Sequence, residues 1–160
     1  MRNNEVVQDD KWNKNILYFD YILNEVDRGA LITKKLIMRN ILVIEDNLGI
    51  RENIEELLDL EGYNVTSAIN GLLGIEKAKA VQPDFIICDI GLPIKNGYEV
   101  FETLSPYLQQ NKIPFIFLTA NAQERDIAKG KTSEAAAYIT KPFQADYLLK
   151  VISDLLKTAN

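Results

Sequence analysis

Phe85-Ile86-Ile87-Cys88-Asp89-Ile90-Gly91-Leu92-Pro93 is the stretch that decides the fold. Four apolar residues in a row read as a strand buried on both faces, the kind found at the centre of a parallel sheet. Two further runs have the same character, Ile41-Leu42-Val43-Ile44 before it and Pro114-Phe115-Ile116-Phe117-Leu118 after it. Tyr63-Asn64-Val65-Thr66 and Ala137-Tyr138-Ile139 are weaker strands. Helical patterns fall between them. Ile50, Ile54, Leu57, Leu58 and Leu60 keep a 3.6-residue period up to Gly62, with Glu52, Glu55 and Glu56 on other faces. Leu72, Leu73, Ile75 and Ala78 suggest a second helix, Val100 to Leu108 a third, Arg125 to Ala128 part of a fourth and Tyr147 to Leu156 a fifth. Strands alternating with amphipathic helices predict an α/β domain, a doubly wound five-stranded parallel sheet covered on both faces.

In such a sheet the loops at the carboxyl ends of the strands meet at a crevice where the strand order reverses. Those loops hold the chemistry of this chain. Glu45-Asp46 follows the first strand, Asp89 the third, Thr119-Ala120 the fourth and Lys141-Pro142 the fifth. A lone carboxylate at a strand exit is commonly a turn former or helix cap. Three of them brought together repel one another unless protons or a cation relieve them. A divalent cation is the natural relief, and Mg2+ suits a shallow site with few carboxylates and several retained waters.

Composition narrows the alternatives. The chain has 160 residues, enough for one good core plus an extension. It contains no histidine and a single cysteine, Cys88, which excludes the usual zinc clusters, Ser-His and Cys-His catalytic arrangements and an internal disulfide. Cys88 reads as a buried strand residue. A net charge of −5 argues against direct binding of nucleic acid. No apolar run is long enough for membrane insertion, and the N-terminus lacks a secretory pattern, so a cytoplasmic protein is expected.

Four segments, Ile-Leu-Val-Ile-Glu-Asp-Asn at 41 to 47, Asp-Ile-Gly-Leu-Pro at 89 to 93 with Gly97 after it, Leu-Thr-Ala at 118 to 120 and Tyr-Ile-Thr-Lys-Pro-Phe at 138 to 143, resemble the response-regulator receiver family of two-component signalling. The resemblance runs over Met38 to Asn160. It implies a (βα)5, flavodoxin-like fold of strand order 2-1-3-4-5. It also implies that Asp89 accepts a phosphoryl group from a histidine kinase or histidine phosphotransfer protein. Asp46, Asp89 and the Gly91 carbonyl would hold Mg2+, with Glu45 acting mainly through water. Lys141 would supply fixed positive charge, aimed by a cis bond to Pro142. Thr119 and Tyr138 would form a switch, and Pro93 and Gly97 would shape the loop after Asp89. The output face would comprise the fourth helix, fifth strand and fifth helix, where Glu134-Ala135 stands in place of the family's usual Gly-Ala. Only one helix follows Lys141, so a single-domain regulator that signals through protein contacts is expected. An unswitched receiver-like adaptor is the alternative. A dehalogenase-type phosphatase would need its nucleophile in the Glu45-Asp46-Asn47-Leu48 loop and a second aspartate two residues on. A flavin domain would find its phosphate repelled there.

Residues 1 to 37 fall outside the resemblance. Trp12, Ile16, Phe19, Leu23, Val26 and Ala30 recur at spacings of four and three, a short apolar seam. This fits a helix that docks on the receiver or pairs with a second copy in a homodimer, and equally a partly disordered tail. Lys34-Lys35 reads as solvated linker.

Overall fold

The structure, a computed structural model, describes residues 38–123, 126 and 135–159. The seam from Trp12 to Ala30, Lys34-Lys35 and Glu134 lie outside the described residues, as does all of the fourth expected helix except Asp126. The described elements are β1 (Asn40–Ile44), α1 (Leu48–Leu60), β2 (Asn64–Ala68), α2 (Gly71–Val81), β3 (Phe85–Asp89), α3 (Gly97–Asn111), β4 (Phe115–Thr119), β5 (Ala137–Thr140) and α4 (Ala145–Thr158). The last is the fifth helix expected from the sequence.

All strand pairings are parallel, and the order is β2-β1-β3-β4-β5. The apolar runs occupy β1, β3 and β4, the three interior positions, and every residue of β3 and β4 is buried. Successive side chains of a strand point to opposite faces, so each run feeds two cores. Leu42, Ile44, Ile86, Cys88, Phe115 and Phe117 pack under α2 and α3 with Ile75, Val100, Phe101 and Leu104. Ile41, Val43, Phe85, Ile87, Ile116 and Leu118 pack under α1 and α4 with Ile54, Leu58, Leu148 and Ile152. Each such large side chain, fully buried, contributes about 1.5–3 kcal/mol. With both faces covered, the only polar places left to the central strands are their ends.

The first three helices begin earlier than the apolar periodicity indicates, and the reason is capping. Asn47, Asn70 and Asn96 each accept a hydrogen bond from the backbone three residues on, which satisfies an N–H that no helical carbonyl can reach. At α3 the cap is reciprocal, since the Glu99 carboxylate accepts from the Asn96 N–H at 2.9 Å. This brings the start of α3 back from Val100 to Gly97. Gly62, at φ +82°, closes α1 and turns the chain into β2.

The strand order reverses between β1 and β3, whose registers pair Ile44 with Cys88. The loops after these two strands therefore emerge side by side.

Candidate functional site

Glu45 is the residue after β1, and its N–H still donates to Ala68 O at 3.0 Å, the last rung of the sheet on that side. That rung carries the Glu45 side chain inward to 1% exposure, while Asp46, next along the chain, remains exposed. Asp89 ends β3 and is 6% exposed. Carboxylate oxygens of Glu45, Asp46 and Asp89 all lie within 4.8 Å of one another.

Lys141 meets this cluster from the loop after β5. Its N–H donates to Thr119 O at 2.7 Å, which ties the loop to the end of β4. Its ammonium lies 2.6 Å from Asp89 Oδ1 and donates to Glu45 Oε2 at 3.1 Å. The bond to Pro142 is cis. The second oxygens are also engaged: Asp89 Oδ2 accepts from Gly91 N–H at 3.0 Å and Glu45 Oε1 from Asn47 N–H at 3.1 Å.

Burial and the Asp89 charge raise the Glu45 carboxyl pKa, against the lowering effect of Lys141 and Asn47. For Lys141 burial acts to lower the pKa, but hydrogen bonds and charge from Asp89, then from Glu45, outweigh it, and the ammonium is raised. Cys88, fully buried, has its thiol pushed well up by burial and then by the Asp89 and Glu45 charges, so it stays protonated as a core side chain. Among the described residues one ammonium meets three carboxylates, which leaves this cluster negative. An all-oxygen donor set with an exposed member and excess negative charge has the chemistry of a hard divalent cation site, and Mg2+ fits it.

The loop after β3 is held tightly. Gly97 N–H donates to Ile90 O at 3.0 Å, and a Cβ at Gly97 would stand 2.4 Å from Asp89 O, so only glycine admits this approach of α3 to the strand end. Between Pro93 and Lys95 the chain makes a γ-turn, with Lys95 N–H donating to Pro93 O at 2.8 Å and Ile94 at φ +70°. Gly91 lies in this loop, where an added Cβ would be 3.3 Å from Asp89 Oδ2.

Two further expected residues lie on β4 and β5. Thr119 is fully buried at the end of β4, its hydroxyl donating to Asn121 O at 3.2 Å and lying 3.5 Å from the Thr140 hydroxyl. Tyr138 on β5 is half-buried and stacks on Phe117, with ring centroids 5.6 Å apart and planes at 17°. Beside Lys141 an open apolar groove of about 700 Å³ runs between α1 and the loop before α4, walled by Ile50, Ile54, Leu57, Leu60, Pro142 and Phe143. Two participants were not singled out from the sequence. Asn47 caps α1 and hydrogen-bonds Glu45, a role its place after Glu-Asp could have signalled. Arg51 donates to Glu45 O at 2.9 Å, and only the fold brings these together.

The described residues contain no helix long and apolar enough to cross a membrane. Comparison with known proteins gives the family. The family model for the response regulator receiver domain matches residues 41–153. The chain is 37% identical over 117 residues to the probable transcriptional regulator ycf29 of Porphyra purpurea, covering 73% of this chain and 56% of that protein. It is 33% identical over 119 residues to protein PilH of Pseudomonas aeruginosa, covering 74% of this chain and 98% of PilH. The chain thus spans about half the length of several curated relatives that it matches. Among solved structures it resembles the receiver domain of sensor histidine kinase PA1611 from Pseudomonas aeruginosa, with TM-score 0.68, 28% identity and coverage of 74% of this chain and 98% of that one. That structure has a magnesium ion coordinated in its active site cleft. With a family model that covers more than half its length, the chain belongs to the response regulator receiver domain family.

Proposed function

We propose that Asp89 is the phosphoacceptor of a two-component pathway, and that Glu45, Asp46 and Asp89 with the Gly91 carbonyl hold Mg2+. The observation that carries this reading is the meeting of three carboxylates from two strand ends with an ammonium 2.6 Å from Asp89 Oδ1. When bound, Mg2+ supplies charge neutralisation and alignment for phosphoryl transfer. The chain's own residues do the rest. An Asp89 carboxylate oxygen attacks the donor's phosphorus, a P–O bond forms as the bond to the donor breaks, and an acyl phosphate results. Lys141, already paired with Asp89, stays beside the added charge and offsets it.

The Thr119 hydroxyl, now donating to Asn121 O, is the group that turns toward the new phosphoryl oxygens. Tyr138, on the adjoining strand, follows it. The phosphoryl donor is a histidine kinase or histidine phosphotransfer protein, and the downstream partner meets β5 and α4 together with the stretch between Asn121 and Ala135. The receiver occupies residues 38–160, with residues 1–37 an extension of it, and the protein works in the cytoplasm.

Incubation with Mg2+ and acetyl phosphate, followed by intact-mass spectrometry, tests the reading. One phosphoryl group per chain is expected on the parent and none on Asp89→Asn. Equal labelling of the two proteins, or no labelling of either, rules it out.

A further inference from the structure

The acidic loop after β1 has to send two successive carboxylates, Glu45 and Asp46, toward one point, although neighbouring side chains in an extended chain diverge. Something must hold the turned backbone, and Arg51 is placed to do so. It lies one turn into α1, its side chain 12% exposed. Its Nη1 donates to Glu45 O at 2.9 Å and reaches Asp46 O at 3.4 Å. Its Nε is 3.7 Å from Glu55 Oε1, which braces the guanidinium from the helix side. The guanidinium thus grips the main chain of both acidic residues and leaves their carboxylates to the crevice. Arginine suits this task because its planar fork offers several donors in fixed directions.

We propose that Arg51 is a positioning residue for the cation site: by holding the carbonyls of Glu45 and Asp46 it sets the direction in which their carboxylates converge. The inference rests on the Mg2+ reading above, and its sign separates it from plain electrostatics. A cation beside a metal site repels the metal, so on charge alone Arg51→Gln binds Mg2+ more tightly than the parent. Loss of a grip has the opposite result, because carboxylates released from their common direction lose orientation.

Mg2+ titration of the parent, Arg51→Gln and Arg51→Lys by calorimetry tests this, together with thermal melting and hydrogen exchange of the Asn47 amide in metal-free protein. Arg51→Gln is expected to weaken Mg2+ binding about 10- to 100-fold, the range found when residues that orient metal ligands are removed. The Asn47 amide, which donates to Glu45 Oε1, should exchange several-fold faster while the melting temperature falls only a few degrees. Arg51→Lys, with its charge kept but its fork lost, should fall between. Equal or tighter Mg2+ binding by Arg51→Gln overturns the inference, whatever the melting temperature. A parent that binds no Mg2+ overturns the Mg2+ reading instead, and an unchanged Asn47 exchange rate in Arg51→Gln then overturns the positioning role as well.

Discussion

Asp84 and Asp89 stand at opposite ends of the same strand, one just before β3 and the other its last residue. Asp84 is answered where it sits. It accepts from Arg39 Nη1 at 3.0 Å and from Asn40 N–H at 2.8 Å, half-exposed at the rim of the sheet. Asp89 is buried, with Glu45 and Asp46 pressed close and, among the described residues, Lys141 as the one ammonium beside three carboxylates. At the amino end, then, the carboxylate has a guanidinium to match it. At the carboxyl end negative charge is in excess and partly desolvated, an arrangement that stabilises nothing by itself and is relieved when a cation binds. The polar ends of a sheet thus differ in kind: one closes the fold and the other gathers carboxylates in excess.

The largest expected effect separates the two aspartates outright. Asp89→Asn should abolish phosphoryl uptake, while Asp84→Asn should keep it, as read by intact mass. Next in size is the cation. Asp46→Ala should weaken Mg2+ binding about a hundredfold or more, given the strength of charge pairs at such separations, and Arg39→Ala should leave it unchanged in the same calorimetric titration.

Stability gives a smaller contrast. Lys141→Ala leaves Glu45 and Asp89 without their ammonium, and with Lys141 itself 19% exposed, the metal-free protein should lose about 2 kcal/mol in urea unfolding. Mg2+ should restore more stability to that variant than it adds to the parent. The Arg39–Asp84 pair, near a quarter exposed on each side, should be worth about 1 kcal/mol or less in a double-mutant cycle. A pair energy at Arg39–Asp84 equal to the Lys141 effect would erase the distinction.

The smallest effect concerns strain. Ile94, 72% exposed and at φ +70°, holds a conformation that a β-branched residue rarely adopts. Ile94→Gly should stabilise the fold by about 0.5–1 kcal/mol, the relief of a left-handed residue less the greater freedom of glycine in the unfolded chain. A loss of stability there would place the strain elsewhere.

Much of this was legible in the sequence because a doubly covered sheet leaves little freedom. The unbroken apolar runs at Ile41, Phe85 and Phe115 had to be interior strands, and the residues just past them had to meet. Element ends were less legible. Asn47, Asn70 and Asn96 extend their helices through side-chain hydrogen bonds at the cap, which apolar periodicity does not register. Arg51 escaped notice for a similar reason. Along the helix it reads as a charge spaced for Glu55, and only the turn after β1 brings the Glu45 carbonyl to it.

The most direct test of the acidic crevice is a crystal structure of the protein grown with Mg2+ and beryllofluoride. Expected are the cation bound by Asp46, Asp89 and the Gly91 carbonyl, the beryllofluoride on an Asp89 oxygen beside Lys141, and the Thr119 hydroxyl turned toward it. A cation bound elsewhere, with Asp89 still bare and paired to Lys141, would contradict it.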